Sequence, residues 1–480
     1  MWKKFTLTLQ TRSRGGIIRS MIEVHQSGSD SFCDGMNRRA MLRIGGLSSL
    51  GLSLPQLLKG FESSKGTFGR ARRVLMLFMW GGPSHIDLFD MKPDAPTQVR
   101  GSFRPVSTKV PGVQLSELLP HLGRHTDKIG FIRSVTHSDN NHSTSAHWML
   151  TGHKHELARE NQGARRSDYP HMGSVLNHLR PSRNGLPGFV ALPEVIGTTQ
   201  GYITPGQDGG FLGQEHDPFR IDQHPVGKEF KVANLNPSVN SNRLRSRAGL
   251  QRRFDEFRGE LIDAAESAEL SAVNQRAVDL VTNSKVHEAF NLRAEGARER
   301  QRYGMKPFGQ SVLLARRLME AGVPLVTVYW HRDMPGVDTT WDTHGDNFNQ
   351  LKNRLVPQTD QPVAHLLSDL HERGLLDDTL VFWNSEFGRT PKINGKAGRD
   401  HWGRCNTIWM AGAGVPGGHV YGKSDKIASE PVSDPVSPEQ VAATVYHLLG
   451  LDPHTEIRDR LDRPFPIADA APLHRFLAGA

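Results

Sequence analysis

The sequence predicts an α/β fold: three layers, a mostly parallel central sheet with helices on both faces, and a helical insertion. Three observations carry this. Short continuous apolar runs end in Gly- and polar-rich segments, as strands buried on both faces do; helical patterns alternate with them; and one charged helical stretch breaks the rhythm.

The runs appear in order as "RRVLMLFMW" (72–80), "GFIRSVTH" (130–137), "LPGFVALP" (186–193), "VPLVTVYW" (323–330), "TLVFW" (379–383) and "NTIWMAG" (406–412). Helical patterns over 308–321 and 346–373 lead into the fourth and fifth. Near the carboxyl end, "SPEQVAATVYHLLGLDP" carries Ser437 as N-cap, Pro438 in the first turn, Gln440 to close a capping box and Gly450 just past the helix. Between 241 and 304 the chain is charged and helical, with Leu250, Phe254, Phe257 and Leu261 spaced as one stripe. The Gly-rich stretch 197–218 before it has no period and reads as a long loop, so 197–305 is expected to be a loop and helical cap inserted into a single domain over 70–480.

The net charge of +9 is unevenly placed: residues 1–60 hold nine Lys/Arg against three Asp/Glu, which leaves only +3 on the other 420 residues. A basic body is absent and nucleic acid is not an expected partner. The first 60 residues read as a presequence. "MNRRAMLRIGGLSSLGLSLPQLL" places Arg38-Arg39 before a weak apolar run, too short for a stable membrane span, and resembles a twin-arginine export signal over 36–58. Such a signal implies the twin-arginine export machinery as a partner and a periplasmic or secreted location. Of two cysteines, Cys33 lies in the presequence, so Cys405 has no disulfide partner in the remainder.

Polar residues gather just beyond the strands, where an open parallel sheet binds ligands. "WDTHGD" points Asp342 and His344 to one side of an extended segment, and "SEFGRTPKINGKAGRDHW" offers Glu386, Arg389, Arg399 and His401. The histidines at 137, 142 and 147 are five residues apart, a step that puts them on different faces of a helix.

These segments together resemble a known family. "TLVFWNSEFGRTP" is similar to the "TLVIVTSDHG" strand and loop of the alkaline phosphatase and sulfatase superfamily, "EQVAATVYHLLGLDP" to its last helix, and "NHSTSAHWMLTG" to the segment after its nucleophile. With "GGPSHIDLFDMKPD" and "WDTHGDNF", the whole resembles the bacterial exported family called domain of unknown function 1501, over about 70–455. The resemblance implies a metal-dependent hydrolase of sulfate or phosphate esters acting on a small molecule or glycan. It implies metal ligands at Asp87, Asp342, His344, Glu386 and His401, and substrate contacts from Arg389, His85 and Arg399. The nucleophile position falls on His142, with Ser143 the adjacent hydroxyl. Two departures count against a two-metal site: Gly81-Gly82 stands where the superfamily places aspartate, and Phe387 where it places histidine. One divalent ion (Ca, Zn or Mg), or none, is the expectation. The alternative is a non-catalytic exported binder of an anionic glycan or cell-wall ligand on the same scaffold.

Overall fold

The computed structural model describes residues 6–12, 19–25 and, from 66 to 480, all but 158–162, 183–184, 199–200, 228–229, 333–339 and most of 233–279. The export-signal segment 36–58 and the stripe residues Phe254, Phe257 and Leu261 lie outside the described residues. Chain contacts divide the protein into units 1–61 and 62–480. The first contains an antiparallel hairpin, Thr6–Arg12 with Arg19–His25.

The second unit is built on an eight-stranded sheet. Its strands are β1 (Arg73–Phe78), β2 (Ile129–Val135), β3 (Phe189–Leu192), β4 (Phe219–Arg220), β5 (Leu325–Tyr329), β6 (Thr379–Asn384), β7 (Asn406–Ala411) and β8 (His419–Tyr421), in the spatial order β8-β2-β7-β6-β1-β5-β3-β4. Only β7 runs against the rest. In β1, Val74 to Phe78 are fully buried, which is why this strand reads as an unbroken apolar run and not as an alternation.

Among the described residues, five helices of eight residues or more cover the sheet: α1 (His142–Thr151), α2 (Met172–Leu179), α3 (Pro307–Ala321), α4 (Asp360–Glu372) and α5 (Pro438–Leu448). The cap region contributes the short helices Ser284–Phe290 and Ala297–Arg302, while Leu250 is exposed. α5 starts with the expected capping box, Gln440 N–H donating to Ser437 Oγ at 3.4 Å and Ser437 N–H to Gln440 Oε1 at 3.1 Å. α1 stops at Gly152, whose φ of 77° suits glycine; a Cβ there would lie 2.3 Å from Ala442 Cβ, so the glycine also lets α1 and α5 approach closely.

Strand register fixes where the loops emerge. Phe78 of β1 pairs with Tyr329 of β5 and Asn384 of β6, so the segments leading to Gly81, Asp342 and Glu386 leave one edge together. Reversal of β7 puts its first residue, Asn406, opposite Val135 at the end of β2. Residues just before β7 (His401) and just after β2 (His142) therefore reach the same edge. An all-parallel arrangement would have sent the approach to β7 to the opposite side.

Candidate metal centre

The turn after β1 explains the missing aspartate. Gly81 and Gly82 have φ of 109° and 70°. A Cβ on Gly81 would lie 2.4 Å from the backbone nitrogens of Trp341 and Asp342, and one on Gly82 2.7 Å from Phe387 Cδ2. The space a side chain would need is filled by the neighbouring loops. In exchange, the Gly81 N–H donates to Glu386 Oε1 at 2.7 Å, and both glycine carbonyls accept from Arg389.

Three imidazoles turn towards one carboxylate. His142 opens α1 and packs among Trp80, Phe387 and His401, with ring centroids 5.0, 4.9 and 4.3 Å away. Its Nδ1 lies 2.7 Å from Glu386 Oε1 and its Nε2 3.2 Å from Asp342 Oδ2. His401 Nδ1 donates to the Asn140 carbonyl at 2.8 Å, and its Nε2 faces Asp342 Oδ1 at 3.1 Å. His344 Nδ1 is bound to Asp400 Oδ1 at 2.7 Å, while its Nε2 lies 3.2 Å from Asp342 Oδ1 and 2.9 Å from His401 Nε2.

In every case an acceptor claims Nδ1–H, which directs the Nε2 lone pair of a neutral ring inward. Lone pairs of His344, His401 and Asp342 facing one another at about 3 Å repel unless a cation or proton lies between them. Among the described residues, His142, Asp342 and His401 form a group able to hold a metal ion, one donor atom each, all within 4.8 Å of one another. Glu386 is fully buried and its Oε2 has no partner among the described residues, a further sign of an unmet cation. The donor set thus fits a metal. Nitrogen predominates in it, a donor set that zinc or a similar transition ion favours.

Protonation competes with metal binding at these nitrogens. Burial opposes charge on His142, but hydrogen bonds to Asp342 and Glu386 overcome it and raise the imidazole to about 9. The protonated ring then donates to both carboxylates. Burial lowers His401 to about 4 despite Asp342, with the charges of His142 and Arg389 adding to the effect, so this ring is neutral. Burial likewise disfavours charge on Asp342; Arg389 foremost, then the hydrogen bonds from His142 and His401, reverse that and hold its carboxyl well below the usual range.

Four residues expected in the site do other work. Asp87, expected as a ligand, is outside this group: it takes Arg399 in a two-point ion pair at 2.7 and 2.8 Å and accepts from Ser84 and Asn347. Arg399, expected to contact substrate, is equally buried, with its remaining N–H groups on the carbonyls of Val99, Thr390 and Pro391. Arg389 is fully buried and binds the carbonyls of Gly81, Gly82, Trp341 and Arg399 as well as Asp342 Oδ1 at 2.5 Å; it is an internal strut. His85 is held between the Ala428 carbonyl at 3.0 Å and the Arg389 N–H at 3.3 Å. In each, the polar atoms are already engaged by other groups of the protein.

Asp342, His344 and His401 touch directly, whereas Glu386 joins them through His142. Ser143 is buried, with Oγ unpartnered among the described residues. Two further residues support the site: Asp400, which orients His344, and His137, whose Nε2 lies 2.8 Å from the Glu386 carbonyl. The "RDHW" adjacency was the available sign for Asp400.

A family model described as "Protein of unknown function (DUF1501)" matches residues 71–477. No curated protein matches the chain. Among solved structures, the protein is similar to the PsFucS1 sulfatase from Pseudoalteromonas sp., at 11% identity and a TM-score of 0.38, covering 83% of this chain and 72% of that one. It is also similar to the phosphonate monoester hydrolase SpPMH from Silicibacter pomeroyi, at 12% identity and a TM-score of 0.37 (85% and 77% covered). For the lipoteichoic acid synthase LtaP from Listeria monocytogenes the identity is 10% and the TM-score 0.34 (80% and 74% covered).

Proposed function

Taking as premise that this chain belongs to the DUF1501 family, we propose that it is a metal-dependent hydrolase of sulfate or phosphate esters acting on a small molecule or glycan. The observation that supports this most is the convergence of the Nε2 atoms of His142, His344 and His401 on Asp342 at the carboxyl edge of the sheet. His142, Asp342 and His401 would hold one ion, with His344 beside them. When bound, such an ion polarises an ester oxygen and lowers the pKa of an attacking hydroxyl.

The chain's own groups prepare the place. Glu386 and the Asn140 carbonyl fix the ring orientations of His142 and His401, Asp400 does so for His344, and Arg389 anchors Asp342. Since His142 serves as a ligand in this reading, Ser143 is the hydroxyl left as nucleophile. We place the protein in the periplasm or outside the cell, on the strength of Arg38-Arg39 and the weak apolar run that follows. Among the described residues no helix is long and apolar enough to cross a membrane.

One observation favours the non-catalytic alternative, a binder of anionic glycan or cell-wall ligand: Arg389 and protonated His142 already balance the charges of Asp342 and Glu386 without an ion. Elemental analysis of the purified protein, combined with assays on aryl sulfate and aryl phosphate esters, separates the two. A stoichiometric transition metal with hydrolysis of either ester is the expected result. Absence of both overturns the enzymatic reading.

A further inference from the structure

A second cavity of about 500 Å³ opens beside α1 and shares no lining residue with the candidate metal centre. It falls within the roughly 300–1,000 Å³ range of small-molecule sites. His147 reaches it from α1 five residues after His142, a step of roughly 140° around the helix, so the two histidines serve different places.

His147 is the unusual member of the lining. It is 2% exposed, and neither ring nitrogen makes a well-directed hydrogen bond among the described residues, the His153 backbone being its nearest partner. Its neighbours are satisfied: His153 by the Ile467 carbonyl at 3.2 Å, His155 by Asp168 at 3.2 Å. A buried polar group without a well-formed hydrogen bond is destabilised, a loss that a ligand hydroxyl would relieve. Burial lowers His147 to about 3, so the ring is neutral and offers one donor and one acceptor, the complement of a hydroxyl.

The rest of the lining adds an apolar wall and a rim of mixed charge, in which five basic residues outnumber three acidic ones, exposed Glu156 among them. Tyr169 stacks on His153 with centroids 3.4 Å apart, and Phe211 stands edge-on to Tyr169 and 5.3 Å from Phe465. Of the basic residues, Arg166 is committed to Asp217 and Arg463 to Asp459. Arg165 and Arg460 are exposed at the mouth and have no carboxylate partner among the described residues.

We propose that this cavity is a binding site for an anionic sugar unit, its ring lying on the aromatic wall, a hydroxyl on His147 and its sulfate or carboxylate between Arg165 and Arg460. The site stands independently of hydrolysis at the metal centre.

Calorimetric titration of the full chain at low salt tests this, with D-glucose 6-sulfate as probe and D-glucose and inorganic sulfate as separate probes. The sugar sulfate is expected to bind saturably and more tightly than either separate probe, with affinity falling about tenfold in the Arg165→Gln/Arg460→Gln double variant and in His147→Phe. Asp342→Asn is expected to leave that affinity unchanged. The arginines are exposed, so their replacement keeps the test valid even if His147→Phe fails to fold. No saturable binding, sulfate binding as tightly as the sugar sulfate, or a loss that follows Asp342→Asn and not the arginine pair would each overturn the proposal.

Discussion

His142 Nδ1 lies 2.7 Å from Glu386 Oε1, a contact that joins the first turn of α1 to the loop after β6 across 244 residues of sequence. It makes Glu386 the group on which the orientation of His142 depends.

Glu386→Gln preserves size while removing the charge. The amide cannot compensate a cation, and its oxygen accepts less strongly from the Gly81 N–H and His142. Retained metal and any ester hydrolysis are expected to fall together, measured by elemental analysis and initial rates on the same preparation. Unchanged metal content would remove Glu386 from the centre.

Asp87 and Arg399 are both fully buried and joined by two hydrogen bonds. Asp87→Asn or Arg399→Met leaves an uncompensated charge inside, and each is expected to cost about 3–5 kcal/mol in urea unfolding. Metal content of the folded fraction should stay at the wild-type value. A mutant of normal stability that loses metal would restore Asp87 as a ligand.

Acid is expected to unfold the protein through its buried neutral histidines. Burial lowers His171 to about 3, with Arg220 adding to the effect, and burial lowers His147 to a similar value. The folded state therefore resists protonation that the unfolded chain accepts near 6.5, so this contribution is complete above that pH. It is lost as pH falls from there towards 3, at about 1.4 kcal/mol per pH unit for each ring. His171→Asn keeps the acceptor that caps α2 at Gly173 N–H while removing one titrating ring. Urea unfolding at pH 7 and pH 5 should show a smaller loss in this variant than in wild type; an equal loss would assign the acid sensitivity elsewhere.

Export is expected to depend on Arg38 and Arg39 together. Replacing both with Lys should leave precursor in the cytoplasm, as fractionation and immunoblotting would detect. Undiminished export of the double variant would reject the twin-arginine route.

The sheet was readable because parallel strands covered on both faces show as apolar runs; all six runs became strands. The site was readable only in part. Asp342, His344 and His401 stand in short segments whose spacing and edge position mark them. Arg389, Arg399, Asp87 and His85 carry the same residue types at the same edge, and local spacing does not reveal that their partners are one another and the backbone. The reversal of β7, which delivers His401, likewise arises from pairing with β2, more than 270 residues distant in sequence. The contacts of His142 with Glu386 and Asp342 are tertiary ones, which local spacing does not show.

The Gly81-Gly82 turn has a consequence for anyone wishing to redesign this centre. Installing an aspartate at position 81 would drive its Cβ into the backbone of Trp341 and Asp342 and displace the Asp342 carboxylate. The turn, the 340–342 segment and the Arg389 anchor form an interlocked unit, and a side chain at position 81 could be accommodated only by rebuilding all three at once.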